Sequence, residues 1–328
     1  MAQAKIVVSG MRPTGKLHLG HYFGVLKNWV EMQSQFQCYF FVADWHALTT
    51  EYQNPQNIHE STREVLLDWL AAGLDPEKAT LFVQSRVPEH AELHLLLSML
   101  TPISWLERVP SYKELKNELK DKDLSTYGFL GYPLLQTADV AIYDGDLVPV
   151  GQDQVAHLEL SREIVRRFNN FYKPVLKEPQ PYLTQSPKVP GIDGRKMSKS
   201  YGNAIYLSDP EAEVRTKMMA CITDPARLRK SDPGNPDICT LFAYHQLFSP
   251  PELVSQVNLQ CRAAEIGCVE DKKQACENLL KFLKPFQERR RQWTEQPKKL
   301  EEILDAGAAK ARKVASEKMR QINEVMGL

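Results

Sequence analysis

The chain has 328 residues, enough for a sizeable core in one or two domains. With 25% charged and 43% hydrophobic residues it is composed as a globular chain, and no apolar run approaches the roughly 20 residues that cross a bilayer as a helix. Its 41 basic side chains balance 41 acidic ones, so bulk charge announces no nucleic-acid partner, and six cysteines are too few for a disulfide scaffold. Residues 1–8 run straight into a strand without the apolar core of a secretory leader, so a cytoplasmic location is expected.

In chain order, short β-rich runs alternate with helical patterns over the first half, which predicts a parallel sheet covered by helices. Residues 6–10 read as the first strand, and a helix follows from near Leu19 with Phe23, Leu26 and Val30 at helical spacing. Residues 38–43 read as a second, buried strand ended by Asp44. Ile58, Thr62, Val65, Leu66 and Trp69 share one helical face, residues 80–83 read as the third strand, and residues 147–150 as the fourth. Repeated strand–helix–strand units form the mononucleotide-binding pattern, whose ligand crevice lies at the carboxyl ends of the strands. A charged insertion at 111–126 and a Pro- and Gly-rich connection over 179–208 interrupt it. Beyond Asp209 the pattern is helical, and the last helix carries Leu304, Ala308, Ala311, Ala315, Met319, Ile322 and Met326 as one apolar stripe. The expected architecture is an α/β, Rossmann-like parallel-sheet domain over 1–205, an α-helical domain over 206–300, and a final helix, 301–328, packed back on the body.

Arg12-Pro13-Thr14-Gly15-Lys16-Leu17-His18-Leu19-Gly20-His21 follows the first strand directly and places two histidines three apart where a helix begins. A helix N-terminus offers unpaired N–H groups and a positive dipole end to a phosphate, imidazoles can add donors, and Gly20 lets a nucleotide approach the backbone. A surface turn, or half of a metal site, would explain this segment taken alone. Far downstream, Lys196-Met197-Ser198-Lys199-Ser200 lies in the Pro- and Gly-rich connection. Two lysines on a mobile loop can wrap a triphosphate and neutralise charge on departing pyrophosphate, although a generic basic loop is the bland alternative. The ordered pair resembles the two motifs of class I aminoacyl-tRNA synthetases.

The resemblance narrows to tryptophanyl-tRNA synthetases of bacterial type and extends over essentially the whole chain. It is carried by Val42-Ala43-Asp44-Trp45-His46-Ala47-Leu48-Thr49, Thr137-Ala138-Asp139-Val140, Val148-Pro149-Val150-Gly151-Gln152-Asp153-Gln154 and Ala311-Arg312-Lys313-Val314-Ala315-Ser316-Glu317. It implies a homodimer that uses L-tryptophan, ATP with Mg²⁺, and tRNA(Trp). The catalytic residues it implies are His18, His21, Lys196 and Lys199, acting on the phosphates. ATP would be bordered by Arg12, Pro13, Thr14, Gly20, His21, Gly151, Gln152, Asp153, Val189 and the run Lys196, Met197, Ser198, Lys199, Ser200. Asp153 would accept from ribose hydroxyls. Tyr132, Gln136, Asp139 and Tyr143 follow steps of four, three and four, a polar helix stripe whose only charge is Asp139. A half-buried carboxylate wants a donor, and the indole N–H is one. In the family the residue matching Asp139 accepts that bond, those matching Tyr132 and Gln154 hold the amino acid's polar end, and His46 and Gln136 match pocket positions. Pairing with a nearby Lys or Arg is the ordinary alternative for Asp139.

Three positions depart from the commonest bacterial pattern: Arg12 where many members have Gln, Gln136 where many have Met, and Tyr201-Gly202-Asn203 where Asp-Pro is frequent after the lysine loop. Cys239, Cys261 and Cys268 resemble an incomplete iron–sulfur motif; some relatives have a fourth Cys three residues beyond the third, where this chain has Asp271. Four thiolates are the usual ligand set, so no cluster is expected. Between Lys281 and Arg320, 12 Lys/Arg face 6 Asp/Glu, which is either a set of solvated helix faces or a tRNA-facing surface. The alternatives within reach are a tyrosyl-tRNA synthetase, a small nucleotidyltransferase, and a non-catalytic RNA-binding paralogue.

Overall fold

Val7 and Val8 are both fully buried, yet they face opposite sides of the sheet and join different cores. The same alternation splits Phe40 from Tyr39 and Phe41, and Leu81 from Phe82. Burial on both faces is what a parallel sheet between helical layers requires. The computed structural model describes residues 4–109, 123–151, 155–184 and 187–328. Its strands are β1 (Ile6–Met11), β2 (Gln37–Val42), β3 (Ala79–Val83), β4 (Leu147–Val150) and β5 (Gln180–Leu183), ordered β3-β2-β1-β4-β5 and all parallel.

The four expected strands form within a residue or two of their expected bounds. The fifth strand lies inside the loop-rich connection expected over 179–208, where no strand was expected. Pro181 lies within β5, and a residue without an N–H is tolerated there because β5 is an edge strand whose only neighbour among the described residues is β4. The charged insertion expected at 111–126 falls almost wholly outside the described residues.

Chain order reverses between β1 and β4: the chain builds outward through β2 and β3, then returns to add β4 and β5 on the other side. In such sheets the crevice at the carboxyl ends of the two strands flanking the reversal takes the ligand. Here that crevice opens beyond Met11 and Val150.

Two long helices close the body. Cys268–Thr294 packs along Ile58–Ala72, where the Arg290 guanidinium reaches Asp68 (2.7 Å) and Glu64 (2.6 Å). Pro297–Met326 lies on β3 and buries Leu304, Ala308, Ala311, Ala315, Met319 and Ile322. Its Gly307 touches the strand so closely that a Cβ there would stand 1.8 Å from the Leu81 carbonyl oxygen, which only glycine avoids.

Candidate active site

The segment after β1 and the lysine loop, nearly two hundred residues apart, are fastened together. The Leu19 N–H donates to the Ile205 carbonyl (3.0 Å) and the Leu207 N–H to the Leu17 carbonyl (2.9 Å), so the strand leaving the loop is stitched to the helix start. Lys199 then crosses to the turn after β1, its Nζ donating to the Thr14 carbonyl (2.7 Å), the Thr14 hydroxyl (3.1 Å) and the Gly15 carbonyl (3.1 Å). Burial lowers its pKa to about 8, against a smaller opposing pull from Asp68, so the ammonium remains mostly charged at neutral pH.

His18 and His21 stand with ring centroids 3.8 Å apart. Burial is the main reason both stay neutral: His18 falls to about 4 and His21 to about 2, with His18 lowered further by the Lys199 ammonium and His21 by its neighbours His18 and Lys199. His21 Nδ1 accepts from the His18 N–H at 3.2 Å, which fixes the proton on Nε2 and leaves Nε2–H as a donor. Among the described residues, the buried His18 Nδ1 finds no hydrogen-bond partner. Gly20 has a second reason to be glycine, since a Cβ there would lie 2.9 Å from the His18 ring.

The loop itself is held by Asn203, which sequence reasoning passed over. Its Oδ1 accepts from the Ser198 N–H (2.8 Å), and its Nδ2 donates to Asp193 Oδ1 (2.7 Å) and to the Lys196 carbonyl (3.2 Å). The residue is 2% exposed. Tyr201, one of the departures from the common pattern, carries the Arg195 guanidinium over its ring at 4.5 Å. Val189 accepts at its carbonyl from the Met197 N–H (3.1 Å), so this backbone edge and the buried Met197 form one wall. Lys196 is exposed, and Ser198 and Ser200 share a hydrogen bond of 2.8 Å. Asn203→Ala leaves two backbone groups of the loop without their partner, and activation is expected to slow about tenfold with the KM of the amino acid unchanged. Asn203→Asp should not rescue it, because its carboxylate would face that of Asp193. Initial rates of pyrophosphate exchange check this, and equal losses in both parameters would contradict it.

The second half of the site surrounds Asp139, on the helix Tyr132–Ala141. This carboxylate is 1% exposed and accepts three side-chain bonds: Gln84 Nε2 to Oδ1 (2.6 Å), His90 Nδ1 to Oδ1 (2.6 Å) and His46 Nε2 to Oδ2 (2.7 Å). A carboxylate only accepts, so each imidazole donates. His90, whose Nδ1 carries that proton, takes the Tyr143 hydroxyl on Nε2 at 2.7 Å. Burial alone would raise Asp139, but the hydrogen bonds from His46 and then His90 hold it down at about 2. An ionised carboxylate has about four acceptor sites, and the described residues use three, leaving one on Oδ2. Its partners are imidazoles and an amide, not the Lys or Arg of the ordinary alternative.

Arg12 donates from Nη2 to the Thr50 hydroxyl and lies within electrostatic reach of Glu51 and Tyr132, so it links the turn after β1 to the helix Asp44–Glu51 and to the start of the Asp139 helix. Gln136 is half-buried on the Asp139 helix. Gly151 ends β4, whereas Gln152, Asp153 and Gln154 lie outside the described residues. Beyond Asn203, sequence reasoning missed Gln84, His90 and Asp68. Asp68 accepts the Leu17 N–H at 2.8 Å while holding Arg290, and so anchors the residue before His18. The signal was present, because Asp68 interrupts the otherwise apolar run Val65-Leu66-Leu67-Asp68-Trp69-Leu70.

Cys239, Cys261 and Cys268 are free thiols away from this crevice. Arg227 Nη1 donates to Cys261 Sγ (3.7 Å) and Cys268 Sγ (3.9 Å), and Asp271 accepts from His245 Nε2 at 3.0 Å. A guanidinium among the thiols, and a carboxylate committed elsewhere at the fourth position, do not fit a four-thiolate cluster. Among the described residues, no group of three or more His, Cys, Asp or Glu is arranged to hold a metal ion.

Comparison with known proteins agrees with this geometry. The family described as tRNA synthetases class I (W and Y) matches residues 2–284. A tryptophan–tRNA ligase of Thermotoga maritima is 52% identical over 324 residues, covering 98% of this chain and 99% of the relative. One of Chlamydia caviae is 41% identical over 335 residues, covering 100% and 97%. The crystal structure of the Campylobacter jejuni tryptophanyl-tRNA synthetase, complexed with ADP and tryptophan, superposes with a TM-score of 0.89 at 34% identity, covering 98% of this chain and 100% of that one. With the paired motifs, the buried Asp139 and full-length identity in agreement, the chain belongs to the class I tRNA synthetases for tryptophan and tyrosine, and within them to the tryptophan–tRNA ligase family.

Proposed function

We propose that this chain activates L-tryptophan with ATP and transfers it to the 3′ end of tRNA(Trp), with chemistry at the crevice between β1 and β4. The observation that carries this is Lys199 lying across Thr14 and Gly15, which unites the two phosphate-handling segments. In the first step a tryptophan carboxylate oxygen attacks the α-phosphorus, the bond to the bridging oxygen breaks, and pyrophosphate leaves. In the second, the terminal ribose hydroxyl attacks the activated carbonyl carbon, loses its proton, and AMP departs. No covalent enzyme intermediate is needed, so positioning and charge stabilisation supply the rate.

Lys196, Lys199 and the neutral His18 and His21 take the phosphates, as cations and N–H donors respectively. Pro13, Thr14, Gly20, Val189 and Met197 border the nucleotide, and Gly151, Gln152 and Asp153 the ribose. Mg²⁺ bound to the triphosphate would supply charge neutralisation there, beside the Lys196 and Lys199 ammonium groups. Asp139 accepts the indole N–H on its remaining site, with His46, Tyr132, Gln136 and Gln154 around the amino acid.

The helical region 206–300 is the tRNA-binding part of this reading. Arg290, Arg312, Lys318 and Arg320 are committed to ion pairs within the chain, which leaves the outward charge of residues 281–320 to the exposed Lys281, Lys284, Arg289, Arg291, Lys298, Lys299, Lys310 and Lys313. A homodimer is supported by Leu95, Met99 and Ile103, which are 54%, 71% and 64% exposed at four-residue steps. No helix among the described residues is long and apolar enough to cross a membrane, and six free thiols are consistent with the cytoplasm. Charging assays test the whole: ATP-dependent formation of tryptophanyl-tRNA(Trp) is expected, and charging with tyrosine instead would overturn the assignment.

A further inference from the structure

The segment 84–90 is built in two directions. Gln84 and His90 turn inward to Asp139 Oδ1, both at 2.6 Å. Arg86 and Glu89 turn outward to the helix Pro297–Met326. Arg86 Nη1 meets Asp305 at 2.7 Å and its Nη2 meets Glu301 at 2.7 Å. Glu89 Oε1 accepts the Ser316 hydroxyl at 2.6 Å and Arg312 Nε at 3.0 Å. Glu89 is 6% exposed and His90 is fully buried, so neither side chain has slack. Arg312 and Ser316, one helical turn apart, belong to the run Ala311-Arg312-Lys313-Val314-Ala315-Ser316-Glu317 that the chemistry above leaves without a role.

We propose that the C-terminal helix is part of the tryptophan-selecting apparatus, with Arg312, Ser316 and Glu89 as positioning residues for His90, and Arg86 for Gln84. The outward bonds fix where the start of the helix Glu89–Ser98 and the preceding turn sit. Those two elements in turn aim the donors that saturate Asp139 Oδ1 and leave the indole the acceptor site of Oδ2 that His46 does not use. Tight contact at Gly307 makes the helix a stiff backing rather than a loose cover. This inference rests on Asp139 as the acceptor of the indole N–H.

The test compares pyrophosphate exchange for tryptophan with that for the analogue whose indole N–H is replaced by sulfur. The enzymes are the full-length wild type, Ser316→Ala, Ser316→Thr, the double variant Arg86→Met with Ser316→Ala, and Asp139→Asn. In the double variant the preference for tryptophan over the sulfur analogue should fall about five- to tenfold, chiefly through the KM for tryptophan, while the KM for ATP stays level. Ser316→Ala should show part of that loss, and Ser316→Thr, which keeps the hydroxyl, should retain the wild-type preference. A role confined to stability would lower both substrates equally and leave the ratio intact, which overturns the proposal. If Asp139→Asn loses the preference but the double variant keeps it, the inference fails and the reading of Asp139 stands. If Asp139→Asn itself keeps the preference, that reading fails and the inference with it.

Discussion

Lys199→Ala should slow tryptophan activation by about 10²–10³-fold, the usual cost of removing one preorganised donor from a site of developing charge. Three oxygens of the turn after β1 already hold Nζ at 2.7–3.1 Å, so the ammonium needs little reorganisation when a phosphate takes their place. Its lowered pKa has the same cause, since burial has replaced water around the charge. A triphosphate restores favourable surroundings and draws the proton more firmly on. The benefit grows as charge builds on the departing pyrophosphate, so the loss should fall on the chemical step. Single-turnover measurements over a range of ATP concentrations separate the two: a normal maximal rate with weakened ATP binding would place Lys199 in ground-state binding instead.

Asp139→Asn should reduce kcat/KM for tryptophan about 10- to 100-fold while the KM for ATP changes by less than about twofold. The substitution keeps the shape but turns one acceptor into a donor among three donors, Gln84, His46 and His90. The indole then loses a charge-assisted bond in a site from which water is excluded, and thermal stability should fall as well, by about 1–3 kcal/mol. Measuring tryptophan KM beside a melting curve distinguishes loss of recognition from loss of fold. An unchanged tryptophan KM in a folded variant would move the indole site elsewhere.

What could be read from residues alone follows a physical division. Strands with buried apolar runs announce themselves, so β1 to β4 were legible, β4 despite its Pro149, whereas β5 has no buried residue and, among the described residues, pairs on one side only. Its existence depends on β4, which no local pattern encodes. Candidate residues that belong to contiguous motifs, such as His18, His21 and Lys199, stand out from the sequence in the same way, and the structure brings them together. Those that act across the sheet do not stand out. Gln84 and His90 reach Asp139 from 55 and 49 residues away, and in one dimension they look like ordinary polar residues around a helix start. Their hint was positional, since both follow the carboxyl end of β3, where ligand-handling residues of such sheets gather. Asn203 was noticed only as part of a departure from a pattern, although its amide organises the whole lysine loop.

The central claim is that a single crevice joins ATP to tryptophan and to no other amino acid, and amino-acid-dependent exchange of pyrophosphate into ATP tests it most directly. With each of the twenty amino acids supplied in turn to the wild-type enzyme, tryptophan alone should drive exchange at low concentration, and tyrosine should remain at background. Exchange driven by tyrosine, or by no amino acid at all, would contradict the account.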